Sequence, residues 1–197
     1  MKIGKYELHQ IETGIFGLDG GAMFGIVPRT LWSKLNTPDD ENRIDMALRA
    51  LLITGGKRNI LVDTGIGGKF PEIQKKMYKI DQVTYNLNSS LKKFNLETRD
   101  ITDVIFTHLH FDHAGGATGI EGGEHYLTFP NATCYVQKTN YEWAINPSDK
   151  DRGSYLKGDF VPIAEKGKLQ LIEGGAEIFP QIEVFVSNGH TIGQQLV

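Results

Sequence analysis

The sequence predicts an α/β fold in a single domain, and three observations carry that prediction. Val104-Ile105-Phe106 and Asn59-Ile60-Leu61-Val62-Asp63 are nearly continuous apolar runs, the pattern of strands covered on both faces of a sheet. Asn88–Phe94 and Thr139–Ile145 read as helices, with Leu87, Leu91 and Phe94 sharing one helical face. The Val104–Phe106 run also passes directly into a histidine-rich segment, and loops that follow strand ends are where α/β folds place their chemistry.

The remaining elements follow in chain order. Tyr6–Ile15 alternates imperfectly between apolar and polar residues, and Met46–Ile53 puts Met46, Leu48, Ala50 and Leu52 on one face, so both read as half-buried strands. Between them, Gly20–Pro28 followed by the polar Asn36–Asn42, with its Pro38-Asp39-Asp40 turn signal, reads as a strand plus a loop. Gly55-Gly56-Lys57-Arg58 is a hairpin turn. The Asn88–Phe94 helix is expected to start near Ser89 or Ser90. Thr133–Val136, Lys168–Ile172 and Ile182–Val186 read as strands, and Gln194–Val197 as a strand only begun. Asn146–Tyr155 is polar and turn-rich, an excursion over the surface.

The 197 residues are long enough to bury a core, and 40% hydrophobic with 23% charged residues is an ordinary globular balance that excludes disorder. A formal charge of -3 with no dense basic block argues against nucleic acid as partner and for a small molecule. The N-terminus lacks the apolar run of a secretory signal, and no window is apolar enough to span a bilayer, which points away from a membrane and to the cytoplasm. The lone cysteine, Cys134, has no intrachain disulfide partner and reads as a buried small hydrophobe in a strand.

Chemistry concentrates in Thr107-His108-Leu109-His110-Phe111-Asp112-His113-Ala114-Gly115-Gly116. Imidazole and carboxylate together suit zinc and its first-row neighbours. On an extended segment His108 and His110 point the same way and can share one ion. Asp112 and His113 lie past a bend and can serve a second, and Gly115-Gly116 is expected to let the backbone turn tightly beside them. His9 and His125 stand apart from this cluster and read as ordinary surface residues.

The Thr107–His113 segment resembles the HxHxDH signature of the metallo-β-lactamase superfamily. Ile60-Leu61-Val62-Asp63-Thr64-Gly65 resembles the strand-to-loop motif that precedes that signature, and Ser187-Asn188-Gly189-His190-Thr191 resembles the later segment that supplies a third histidine. The resemblance implies an αββα sandwich over residues 1–197. It implies His108, His110 and His190 on a first metal, Asp112 and His113 on a second, and Asp63 accepting a hydrogen bond from a ligand imidazole and fixing its tautomer.

Dinuclear members add a bridging aspartate and a final histidine beyond the third histidine, whereas this chain ends seven residues past His190. The expectation is a domain incomplete at its C-terminus, lacking part of its second half, holding one ion or none firmly by itself and able to pair as a homodimer.

The chemistry the resemblance implies is hydrolysis by a hydroxide shared between two divalent ions about 3.5–4 Å apart, with zinc favoured over manganese, iron or cobalt and Asp112 handling the proton for the leaving group. No GxSxG nucleophile motif is present. The Met23–Pro28 loop, the His-Phe-Asp-His-Ala-Gly-Gly form of the signature and Asp151–Tyr155 look most like the quorum-quenching lactonase and methyl parathion hydrolase group, with Met23, Phe24 and Ile26 either lining an acyl pocket or packed in the core. The expected reaction is opening of a lactone or related ester, an N-acyl homoserine lactone first. The alternatives are a glyoxalase II-type thioesterase or a β-lactamase, and, in another class, an impaired fragment that acts only by binding metal or a partner.

Overall fold

The computed structural model of the chain describes every residue from Met1 to Val197. Strand β1 (Lys2–Ile3) pairs with β2 (Tyr6–Asp19), and β2 pairs antiparallel along most of its length with β3 (Arg43–Gly55). The imperfect alternation in Tyr6–Ile15 has a physical cause: a β-bulge between Glu12 and Gly14 shifts the register by one residue. Ahead of the bulge Ile11 faces one core, and beyond it Phe16 and Leu18 face another. β3 returns through Gly56 and Lys57 into β4 (Arg58–Val62), and φ angles of 56° and 73° at those two residues match the left-handed pair that a two-residue hairpin needs.

The segment after β2 corrects the sequence reading of a strand plus loop. It forms two short helices, α1 (Gly20–Phe24) and α2 (Arg29–Trp32). The Asp19 carboxylate accepts a hydrogen bond from Ala22 N and caps α1, and the buried Trp32 ring covers Gly20 so closely that a Cβ there would lie 2.4 Å from it. Helix α3 (Glu72–Met77) follows β4, and then α4 (Leu87–Lys92), which starts earlier than expected. Its cap is Asn86, whose side chain accepts from Ser89 N, while Ser90 instead donates to Glu12 O.

Further along come β5 (Asp103–Ile105), α5 (Phe111–Ala114), the β6 (Thr118–Glu121) and β7 (Glu124–Leu127) hairpin, and β8 (Thr133–Gln137). They are followed by α6 (Lys138–Ile145), α7 (Val161–Glu165) and β9 (Leu169–Ile172). The chain ends in β10 (Ala176–Phe179), β11 (Ile182–Val186) and β12 (Gln195–Leu196). The main sheet has seven strands in the order β1-β2-β3-β4-β5-β8-β9, and its β4, β5, β8 and β9 run parallel. A three-stranded sheet, β10-β11-β12, packs on one of its faces.

Three layers result. On one face of the main sheet, Ile11, Leu52, Leu61, Val104, Phe106 and Cys134 pack against Leu91, Ala144 and Ile163 of the helices. On the other, Ile53, Ile60, Val62 and Ile105 meet Phe179, Ile182 and Val184 of the small sheet. Burial of β4 and β5 from both sides explains their unbroken apolar sequences. Cys134 is buried in β8, and burial pushes its thiol up to about 12, so it stays protonated and acts as a small hydrophobe. Two other expectations change. His9 is half-buried against the Phe94 ring at 4.5 Å, and His125 is half-buried over Gly158, so neither is a simple surface residue.

Candidate metal centre

Because β4 and β5 are parallel neighbours, their C-terminal ends open at the same edge of the sheet. One delivers Asp63 and the other Thr107–His113. The loop after β11 returns to that edge, where Gln195 N donates to Thr107 O and the Gln195 amide donates to Phe106 O, placing His190 beside the cluster. Within the signature the apolar residues are anchors. Leu109 is fully buried in the main core, and Phe111 packs edge-on to Phe70 at 5.5 Å and against Tyr78 at 5.4 Å. His108 and His110 are thereby held on the opposite side of the segment.

The potential ligand atoms of His108, His110 and His190 all lie within 4.8 Å of one another. His108 is buried, His110 half-buried and His190 exposed. His108 Nε2 and His110 Nε2 are buried and have no hydrogen-bond partner. A buried imidazole nitrogen without a partner is costly in a protein alone, and a cation held at His108 Nε2 would explain that one; at His110 the nitrogen that faces His190 is Nδ1, 3.1 Å from His190 Nε2.

Hydrogen counting fixes the chemistry of His108. The Thr107 hydroxyl donates its one proton to Asp63 Oδ2 at 2.8 Å, so the 3.0 Å contact between Thr107 Oγ1 and His108 Nδ1 must be donated by the imidazole. His108 Nε2 then carries a free lone pair. Burial first, and then the charges of His113, His110 and His190, hold the His108 pKa far below its ordinary value. Burial and the His190 charge bring His110 down to about 4, against the opposing pull of Asp112. Both rings are neutral at neutral pH, the form that binds metal.

Asp112 and His113 form a different pair. His113 Nδ1 donates to Asp63 Oδ2 at 2.8 Å, and its Nε2 lies 3.3 Å from Asp112 Oδ2. Burial works against a charged His113, but hydrogen bonds to Asp112 and Asp63 and the charges of both outweigh it and raise it to about 10. Burial likewise pushes Asp112 up, and the His113 bond and charge overcome that and lower it. Asp63 also accepts from Thr107 N, so one carboxylate organises both the histidine and the start of the ligand segment. It does so from a left-handed φ of 60°, a conformation that aspartate tolerates better than most side chains.

Gly115-Gly116 earns its place for a reason other than the tight turn expected. Gly115 has an ordinary helical φ of -58°. What both glycines provide is room, since a Cβ on Gly115 would lie 2.3 Å from Ile66 O and one on Gly116 would lie 2.2 Å from Thr64 O. The two loops therefore lie backbone to backbone. Lys69 pins them from below, donating to Gly115 O and Thr118 O and pairing with the buried Asp159 at 3.0 Å.

Met23, Phe24 and Ile26 are not core. Met23 and Ile26 are exposed, and Phe24 stacks on Trp32 at 5.1 Å. Tyr155, at the end of an otherwise surface-lying excursion, is buried with its ring 4.6 Å from His110 and its hydroxyl bonded to Thr191. The sequence reading assigned no role to Thr107, Lys69, Asn140 or Tyr155. Only Thr107 had a visible signal, its place at the head of the histidine segment.

Comparison with known proteins agrees with this geometry. The family model described as the metallo-beta-lactamase superfamily matches residues 49–193. An N-acyl homoserine lactonase of Bacillus thuringiensis is 32% identical in an alignment of length 149 that covers 69% of this chain and 51% of that protein. The chain thus spans about half the length of the curated relatives it matches. A probable metal-dependent hydrolase from Staphylococcus aureus has 35% identity and a TM-score of 0.89, covering 99% of this chain and 69% of its own. AidC, a dizinc quorum-quenching lactonase, shares the fold at 23% identity and a TM-score of 0.74 over 99% of this chain and 67% of its own. With the matched segment spanning the ligand loops and most of the main sheet, the chain belongs to the metallo-β-lactamase superfamily.

Proposed function

We propose that this protein is a metal-dependent hydrolase that opens lactones, with N-acyl homoserine lactones as the preferred class. The observation that carries the reading is the gathering of one ring nitrogen each from His108, His110 and His190 within 4.8 Å of one another, with His190 Nε2 3.1 Å from His110 Nδ1 and with His108 Nε2 buried and partnerless. Zinc is the ion this donor set suits best, and manganese, iron or cobalt would also be accepted. His108, His110 and His190 would hold one ion, and Asp112 and His113 would contribute to a second.

When bound, such ions make water a nucleophile at neutral pH and stabilise charge developing on the carbonyl oxygen. The protein's own groups do the rest. Asp63 keeps His113 Nδ1 protonated, so that Nε2 is the nitrogen presented to the site. Asp112, held ionised, accepts the proton that water gives up as it adds to the lactone carbonyl. It then returns that proton to the ring oxygen as the carbon–oxygen bond breaks, giving a hydroxy acid. Met23, Phe24 and Ile26 offer apolar surface to an acyl chain, which accords with the exposure of Met23 and Ile26. We place the protein in the cytoplasm and allow it to pair with a second copy; no helix is long and apolar enough to cross a membrane.

The relatives named as N-acyl homoserine lactonases support the lactone over the thioester and β-lactam substrates of the same chemistry. The test is a panel of N-hexanoyl homoserine lactone, a glutathione thioester and a β-lactam, with zinc or manganese supplied. Lactone opening that His110→Ala abolishes is expected. Turnover of the thioester or β-lactam in preference would replace the substrate assignment, and no turnover of any of them by the metal-loaded protein would defeat the enzyme reading.

A further inference from the structure

We propose that Asn140 is a positioning residue for the three-histidine centre, the side chain that sets the spacing of its two ligand-bearing loops. This rests on the reading that His108, His110 and His190 hold a metal ion.

The three imidazoles arrive on separate pieces of backbone. His108 and His110 follow β5 of the main sheet, whereas His190 follows β11 of the small sheet and is exposed. Something other than the ion must hold the pieces in register, and one amide group touches both. Asn140, completely buried on α6, accepts a hydrogen bond at Oδ1 from Leu109 N at 3.0 Å, and Leu109 lies between the two histidines of the first piece. Its Nδ2 donates to Ile192 O at 2.7 Å, two residues beyond the third histidine.

Both halves of the amide are committed, and the assignment is not reversible, because a flipped amide would set a donor against Leu109 N–H and an acceptor against Ile192 C=O. Aspartate could replace only the first bond, and leucine neither. Two further contacts lock the same arrangement. Gly193 comes so near the start of α6 that a Cβ would lie 2.4 Å from Asn140 N. The Tyr155 hydroxyl lies 3.5 Å from Asn140 Nδ2 and bonds to Thr191, the residue after His190, while the Tyr155 ring rests against His110. Gln195 also ties the second piece to the sheet, but at Phe106 and Thr107, ahead of the histidines.

Cobalt(II) binding to the 197-residue protein tests the proposal, since its visible spectrum reports ligand geometry independently of turnover. Removing a group that orients metal ligands typically weakens binding about 10–100-fold. Asn140→Asp, which keeps the Leu109 bond and loses the Ile192 bond, is expected to weaken cobalt binding within that range and to alter the spectrum. Tyr155→Phe keeps the ring on His110 and is expected to give a smaller loss in the same direction. Should Asn140→Asp fail to fold, Tyr155→Phe decides.

A lowered melting temperature of the metal-free variants, with cobalt affinity and spectrum like those of the unaltered protein, would mean a merely structural role and overturn the proposal. Unaltered protein that binds cobalt but hydrolyses no lactone would sink the proposed activity and leave the positioning role standing. Failure of the unaltered protein to bind cobalt would sink both.

Discussion

Replacing Asp63 by asparagine isolates what one carboxylate does for the metal centre. Asparagine tolerates the left-handed φ of 60° and can still accept from Thr107 N through its carbonyl oxygen, so the backbone has little reason to move. The other oxygen becomes an NH2 group facing two donors, Thr107 Oγ1 and His113 Nδ1, each 2.8 Å away. To avoid donor facing donor, His113 must give up its Nδ1 proton and keep the one on Nε2, the nitrogen needed by an ion.

Loss of such an outer partner typically costs 10–100-fold in metal affinity, about 1.4–2.7 kcal/mol. The metal-free protein offers a second reading of the same change. His113 stands at about 10 because two carboxylates outweigh its burial, and with one of them neutralised its titration should move down by at least about a unit. Zinc competition with a chromophoric chelator measures the first effect, and the pH dependence of the His113 ring protons by NMR measures the second. Asp63→Asn protein with unchanged zinc affinity and an unchanged His113 titration would show that the carboxylate merely shapes a loop.

Two further outcomes follow from the same geometry. Gly116→Ala would force a Cβ to within 2.2 Å of Thr64 O, a backbone atom that cannot rotate away, so a loss of about 1–3 kcal/mol in urea unfolding is expected. Gly153→Ala, whose Cβ meets nothing within 4 Å, should be nearly neutral, and equal losses for the two would refute the packing argument. The metal-free protein should be most stable near pH 6.5–7 in thermal melts. His113, raised from 6.5 to about 10, stabilises the fold fully below 6.5 and loses that contribution as pH rises through about 10. His110, lowered to about 4, stabilises it above 6.5 and loses its contribution as pH falls toward 4, with His108 acting in the same direction. A melting temperature flat from pH 7 to 10 would contradict the His113 assignment.

The histidine segment was legible in the sequence because chemistry-bearing side chains two and three residues apart on one loop are a local pattern, and β4 and β5 were legible because burial on both faces leaves an apolar run. What could not be read was set by contacts distant in sequence. Gly20–Phe24 is too short and too glycine-rich to show a helical period, and it is helical because Asp19 caps it and Trp32 closes over Gly20. Tyr6–Asp19 was legible only as far as Ile15 because the bulge after Glu12 inverts the alternation. Asn140 looks like any polar residue of an amphipathic helix until the fold shows it buried with both amide atoms engaged. Gly115-Gly116 was noticed for flexibility, whereas their use is the absence of a Cβ between two backbones.

The two halves of the centre are prepared differently, and the difference comes from where carboxylates are placed. Around His108 and His110 burial dominates, and at His110 Asp112 is too weak an influence to reverse it, so both rings are neutral, the form that binds a cation. Around His113 two carboxylates surround one imidazole, and the proton they hold between Nε2 and Asp112 occupies the place a cation would take. The fold thus neutralises its own acidic half with a proton while keeping His108 and His110 uncharged. A cation at His113 must expel that proton, which makes this half the more pH-dependent of the two. Asp63 links the halves: the same carboxylate that fixes His113 receives the Thr107 hydroxyl proton, and that donation compels His108 to leave Nε2 bare. One buried acid after β4 thereby sets the tautomer of a histidine in each half.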